Sequence, residues 1–309
     1  MLLLVLGASQ ARAGVVRIDI TRRDDFITHE RLIARVYFAL DPNAPVNRDI
    51  ADIAAAPRNA EGLVEYASDL LFFKPKDAAR AKGTVFLEAV NRGRDQSLGL
   101  MSDAHTTNLA PESWDLGDRF LLEQGFTVAF LGWQFDVEAG EGLGFTAPQA
   151  PVEGLVRASY VDPGIGRRPP GFLLQYCVTT PGRESAVLTF RERLTDAPVA
   201  LARNTWRFTE DGCGILVAPA ERAGVYEAVY TAKGSPVAGL GLAALRDFAS
   251  YLKFGGPVTT LRETPALGQR IVGFGYSQSG RLLREFVRDG FNRDERGRQD
   301  RKSTRLNSS

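Results

Sequence analysis

The chain has 309 residues, 44% hydrophobic and 24% charged, enough to bury a full core as one large domain or as a domain carrying an insertion. Thirty-eight Lys and Arg against 37 Asp and Glu leave a formal charge of +1, so no global field selects a polyanion, an acidic membrane surface or a cationic substrate. Two cysteines, Cys177 and Cys213, are too few for a disulfide scaffold and too isolated for a zinc site; whether they pair or stand as small buried hydrophobes is left open by the sequence.

The chain opens on an apolar run, residues 2–6, followed by Ala11-Arg12-Ala13. This is the small-x-small pattern of a secretory signal peptide, with cleavage expected after Ala13 and the mature protein secreted or periplasmic. No later stretch reaches the roughly 18 uninterrupted apolar residues of a membrane-spanning helix.

Residues 15–20 alternate apolar with polar, and residues 32–40 are rich in β-branched and aromatic side chains, which predicts an opening antiparallel pair. Residues 83–90, largely apolar and closed by Asn91-Arg92-Gly93, read as the first central strand of a buried sheet. Residues 118–125 carry an acidic start, an apolar stripe and a final Gly125, the marks of a short helix, and residues 126–131 follow as another buried strand. From about residue 135 to 225 the pattern changes to short strand-like pieces between Pro and Gly, clearest at 172–178, 186–194, 206–209 and 215–217, and predicts a β-rich insertion.

The α/β pattern resumes at residues 237–254, where Leu242, Leu245, Phe248, Ala249 and Leu252 recur at helical spacing before Gly255-Gly256-Pro257. Residues 270–275 then form a compact strand, and Leu282, Leu283, Phe286 and Val287 give the next helix its apolar face. Strands alternating with helices predict an α/β fold, a mostly parallel sheet with ligands at the carboxyl ends of its strands. Asp289, Asp294 and Glu295, interleaved with Arg288, Arg293, Arg296 and Arg298, read as a solvated face. Such interleaving lacks the basic footprint and stacking aromatics of a nucleic-acid surface.

The chemistry concentrates in Gly275-Tyr276-Ser277-Gln278-Ser279-Gly280, between the last strand and its helix. A nucleophile elbow needs small residues two before and two after its serine, because the backbone makes a strained turn there. Gly275 and Ser279 meet that need around Ser277, whereas Ser279 as nucleophile would have Ser277 and Arg281 in those places. No Gly-rich phosphate loop, paired metal-ligand histidines or Cys cluster occurs, so neither a metal nor another cofactor is indicated.

With Val90-Asn91-Arg92-Gly93, Leu131-Gly132-Trp133-Gln134, Tyr230-Thr231-Ala232, Val237-Ala238-Gly239-Leu240-Gly241 and Arg246-Asp247 beside that elbow, the chain from about residue 83 to 298 resembles the α/β-hydrolase superfamily, in an exported bacterial, serine esterase-like branch. The resemblance implies that Ser277 attacks an ester carbonyl of a small-molecule substrate, that the Gln278 amide is one oxyanion donor, and that Asn91, Arg92 and Gly93 supply the other. Trp133 and Tyr276 would line the substrate, Trp133 having a packed-rim reading and Arg92 a surface-cation or carboxylate-clamp reading as well.

In that superfamily an acid and then a histidine follow the serine. Here the histidines are His29 and His105, both upstream, His29 in an early turn exposed to solvent and His105 on a surface loop. Residues 300–309 have no periodicity and resemble a translated sequencing adapter, an artefactual tail. The expectation is therefore an incomplete hydrolase domain over residues 14–299, lacking its C-terminal strands, inactive as it stands and marginal in folding. The rival expectation is a noncatalytic binding module on the same scaffold.

Overall fold

The computed structural model describes residues 14–105, 109–162, 171–218, 223–261 and 268–298, so the expected signal peptide and tail lie outside the described residues. The chain divides into two compact units, residues 1–148 with 236–309, and residues 149–235.

The first unit starts with β1 (Gly14–Phe26), β2 (His29–Leu40) and β3 (Val64–Pro75), then β4 (Thr84–Ala89), α1 (Ser97–Met101), α2 (Phe120–Glu123), β5 (Thr127–Leu131) and β6 (Phe145–Thr146). β1, β2 and β3 form an antiparallel meander, β2 pairing with β3 from His29↔Pro75 to Leu40↔Val64. β3 pairs antiparallel with β5 and β5 runs parallel to β4. Every residue of β4 and β5 is buried, as expected of strands covered on both faces. Glu88 is the one ionisable side chain in those two strands.

The second unit contains β7 (Gln149–Asp162), β8 (Gly171–Leu173), α3 (Gly182–Ser185), β9 (Val187–Arg191), β10 (Val199–Ala200), β11 (Trp206–Phe208), β12 (Gly214–Val217) and β13 (Gly224–Pro236). Its strands make a sheet of order β10-β9-β13-β7 and a second of order β11-β12-β8. Leu188, Phe190, Trp206, Ile215 and Tyr230 form its core. Cys177 and Cys213 are bridged, beside the backbone bonds Leu174 N→Cys213 O at 2.9 Å and Val178 N→Gly212 O at 2.9 Å.

The first unit then resumes with α4 (Leu240–Phe254), β14 (Arg270–Phe274) and α5 (Gln278–Arg288). α4 buries Leu240, Ala244, Leu245, Phe248 and Leu252 and stops at Gly255, whose φ of 84° suits glycine and whose N–H reaches Tyr251 O. β14 runs parallel to β4, giving the mixed order β1-β2-β3-β5-β4-β14, with β6 on β3. β14 ends that row with Val272 40% exposed. A cavity of about 130 Å³ lies between α4, β14 and α5, lined by Leu245, Ile271, Leu283, Phe286 and Val287.

Two sequence expectations are corrected here. His29 is 1% exposed rather than solvated: its Nδ1 pairs with Thr28 Oγ1 and its Nε2 with Phe126 O, both at 2.9 Å, and burial holds its pKa down. Of the acidic run after α5, Asp289 is exposed beside Arg288 as expected, but Asp294 and Glu295 are not part of a solvated face. Asp294 accepts from Ser250 Oγ and Arg298 Nε, both at 2.7 Å, and Glu295 accepts from Asn47 Nδ2 at 2.6 Å. Asn47 in turn accepts from Arg246 at 2.7 Å, and Asp247 accepts from Tyr66 Oη at 2.6 Å. Buried polar groups stay in a core only when paired in this way, and this network fastens residues 294–298 to α4 and to the chain after β2.

Candidate active site

Because β5, β4 and β14 are parallel, the loops that leave them emerge at one end of the sheet, where sites on such sheets belong. They carry Trp133 and Gln134, the Asn91–Gly93 segment, and the turn of residues 275–277.

The last of these is strained. Ser277 has φ 54° and ψ −111°, outside the small left-handed region open to L-residues, a conformation that persists only where its surroundings enforce it. The enforcement is visible. A Cβ on Gly275 would stand 2.5 Å from Ser279 O and 2.6 Å from Ser279 C, so only glycine lets the strand pass this close to α5. Ser279 is completely buried; its Oγ accepts from Tyr276 N at 3.0 Å and donates to Tyr276 O at 3.1 Å. Ser279 is thus a staple of the turn and unavailable as a nucleophile. Ser277 is exposed, provides no side-chain cap to α5, and its hydroxyl hydrogen-bonds no described residue.

The loop after β4 is tied to that turn, since Asn91 Nδ2 donates to Tyr276 O at 3.2 Å. Asn91 N→Arg94 O at 2.8 Å and Arg94 N→Asn91 O at 3.1 Å close a two-residue turn, with φ 52° at Arg92 and 75° at Gly93. Positive φ at both central residues is the type I′ signature. At Gly93 a side chain is excluded, its Cβ falling 2.9 Å from Val137 Cγ1 and 3.0 Å from Glu141 O.

The predicted donors separate on this geometry. The Arg92 amide already gives its hydrogen to Gln134 Oε1 at 2.7 Å, so it is committed and unavailable to an oxyanion. The amides of Gln278, first residue of α5, and of Gly93 have no acceptor among the described residues, and an unbonded N–H at the start of a helix also meets the positive end of its dipole. Asn91 acts on the elbow, not on the oxyanion. The Arg92 guanidinium pairs with Asp136 at 2.5 Å, which occupies the carboxylate clamp. Trp133, half-buried, donates from Nε1 to Val90 O at 2.6 Å, the packed-rim reading; Tyr276 is 40% exposed beside Ser277.

Three groups hold this site: Ser279, expected as a small neighbour of the elbow, as a staple; Gln134, expected only as part of the family pattern, as the acceptor for Arg92; and Glu88, which sequence reasoning passed over. The Glu88 carboxyl, 0% exposed, accepts from Gln96 N at 2.6 Å, Ser97 N at 3.2 Å and Ser97 Oγ at 2.5 Å. Burial pushes its pKa up to about 8 and that of neighbouring Asp95 to about 6. A hydroxyl is a weak nucleophile without a base, and no imidazole or carboxylate among the described residues hydrogen-bonds Ser277. His105, exposed, donates its backbone N–H to Asp115 at 2.9 Å. Nor does any group of three or more His, Cys, Asp or Glu among the described residues stand where it could hold a metal ion, and no described helix is long and apolar enough to cross a membrane.

Against known proteins, no family model and no curated sequence matches the chain. Among solved structures it is similar to the rice cell wall degrading esterase LipA from Xanthomonas oryzae, at 13% identity and a TM-score of 0.21, over 43% of this chain and 30% of that one. A single-substitution mutant of the same esterase matches at 12% identity and a TM-score of 0.19, over the same shares. The chain thus spans about a third of the length of those proteins, and a likeness this slight carries no argument about its chemistry.

Proposed function

We propose that this chain presents the nucleophile and oxyanion-binding part of a serine hydrolase of the α/β-hydrolase type, acting on the ester carbonyl of a small molecule through an acyl-enzyme on Ser277. The observation that carries the reading is the strained Ser277 at the end of β14, its hydroxyl unbonded and its turn tied through Asn91 to the loop after β4. The order β2-β3-β5-β4-β14, antiparallel at its start and parallel at its end, supports the fold assignment. The Gln278 and Gly93 amides are the donors assigned to the developing oxyanion. The Cys177–Cys213 bridge supports a secreted or periplasmic location, where disulfides persist.

The base is supplied from outside the described residues, and free imidazole substitutes for it in the test. Fluorophosphonate labelling of the 309-residue chain is slow alone and rises by at least about tenfold with imidazole, a fraction of the 10²–10⁴ that a positioned base gives. Ser277→Ala abolishes labelling; Ser279→Ala retains imidazole-dependent labelling. Equal labelling of the native chain and Ser277→Ala removes Ser277 as nucleophile. No labelling of the native chain at any imidazole concentration replaces the enzyme with the noncatalytic binding module.

A further inference from the structure

Glu88 sits where a carboxyl is least expected. β4 is buried along its whole length, and the residues in register with Glu88 are Phe130 on β5 and Phe274 on β14. Desolvating a carboxyl in such a place is costly unless its hydrogen bonds are met. They are met entirely by residues 96 and 97, the segment that closes the loop carrying Asn91, Arg92 and Gly93.

That loop has other attachments: Trp133 Nε1 on Val90 O, Gln134 Oε1 on the Arg92 amide, Asn91 Nδ2 on Tyr276 O, the Arg92–Asp136 pair, and Leu143 N on Gly93 O at 2.8 Å. All of them act on residues 90–93. Residues 96 and 97, where the loop returns into α1, meet the central strand through the Glu88 carboxyl.

We propose that Glu88 is a positioning residue: its carboxyl fastens residues 96 and 97 to the central strand and so fixes the Asn91–Gly93 turn against the Ser277 elbow. The inference rests on the proposed role of Ser277 for its catalytic consequence, though not for its structural one. With burial raising it to about 8, the carboxyl is neutral at pH 7. One oxygen then accepts from Gln96 N, while the other, protonated, still accepts from Ser97 N but donates to Ser97 Oγ, the reverse of the direction an ionised carboxylate takes there. The charged group that faces it is Asp95, which opposes ionisation of Glu88 and is itself opposed by Asp115. Above pH 8 the carboxyl becomes a buried anion beside Asp95, and the fastening loosens. Glutamine matches the neutral acid in shape, accepting at Oε1 from Gln96 N and donating from Nε2 to Ser97 Oγ; it loses only the bond from Ser97 N, which Nε2 cannot accept, and it cannot ionise.

The test uses the whole chain and its Glu88→Gln and Glu88→Ala variants between pH 6 and 9.5. Hydrogen exchange of the amides of residues 90–97, corrected for intrinsic base catalysis, accelerates in the native chain with a midpoint near pH 8, stays slow throughout in Glu88→Gln, and is fast at every pH in Glu88→Ala. Imidazole-assisted labelling of Ser277 falls about tenfold per pH unit above the same midpoint, because only the neutral form holds the loop, and in Glu88→Gln this fall is absent. A break near pH 8 that persists in Glu88→Gln, or exchange over residues 90–97 that is the same in all three proteins, overturns the proposal. Equal labelling of Ser277→Ala overturns the serine assignment while leaving the exchange result to decide on Glu88, so the two failures are distinguishable.

Discussion

Replacing Glu88 by glutamine should make the first unit more stable at alkaline pH, although it deletes a hydrogen-bonded core side chain. In the unfolded chain the carboxyl titrates near 4.5 and in the fold near 8. Between those values the unfolded state has lost its proton and the folded state keeps it, so stability falls as pH rises through that window and is flat on either side. At about 1.4 kcal/mol per pKa unit, the full penalty above pH 8 is on the order of 5 kcal/mol, undiminished by solvent because the side chain is 0% exposed. Asp95 and Glu295, raised to about 6 and about 7, act in the same direction. His29, held below its usual value by burial, acts oppositely, removing stability as pH falls below about 6.5. Glu295 and His29 are common to both proteins and cancel in the difference; Asp95, which faces Glu88, is relieved of a neighbouring anion in the variant and adds to the same divergence. The assay is urea unfolding at pH 5, 7 and 9 followed by fluorescence, with Trp114, packed edge-on against Phe130, reporting on this core. The two proteins should lie within about 1 kcal/mol at pH 5, the scale of one altered hydrogen bond, and diverge by several at pH 9, glutamine the more stable. Parallel pH profiles would refute the assignment of a neutral buried acid.

Further outcomes follow from contacts already described. Gly275→Ala puts a methyl 2.5 Å from Ser279 O; it should destabilise by about 1–3 kcal/mol, as overpacking does, and abolish imidazole-assisted labelling of Ser277, whereas retained labelling would show that the strained turn is dispensable. Cys177→Ser opens a bridge closing 36 residues and should cost about 4 kcal/mol on the loop-entropy scale, with native protein in reductant melting at the same temperature as the variant; an unchanged melt in both refutes this. Tyr66→Phe removes the hydroxyl donating to Asp247 at 2.6 Å, leaving Arg246 as that carboxylate's donor, and should cost about 1–3 kcal/mol by chemical denaturation; an unchanged midpoint refutes this.

What the sequence made legible was whatever is encoded locally. Strong apolar runs flanked by turn residues marked β4, β5 and β14, the helical spacing of Leu245, Phe248 and Leu252 marked α4, and Gly255 marked its end. β3 escaped notice because its period breaks: Glu65, Ser68, Asp69 and Lys74 interrupt the apolar residues irregularly, its two edges serving β2 on one side and β5 and β6 on the other. The expected helix over residues 118–125 shrinks to Phe120–Glu123, since Gly117 and Arg119 take positive φ before it and Gly125 after.

The site divides along the same line, and the division explains why its turn was readable while its support was not. A strained serine announces itself through neighbours at fixed offsets, because the bend that exposes it needs small residues two and three positions away; Gly275, Ser279 and Gly280 are therefore visible in any reading of the chain. The groups that hold the opposing loop act across the sheet, Gln134 on Arg92 over 42 positions and Asn91 on Tyr276 over 185, and no local pattern records such pairings. Glu88 lies between the two cases. A charged residue in the middle of Val85-Phe86-Leu87-Glu88-Ala89-Val90 breaks the pattern of a buried strand, and a buried strand tolerates that break only if a partner meets the carboxyl. The break was legible; the partner, a serine hydroxyl and two amides at the start of α1, is supplied by the fold.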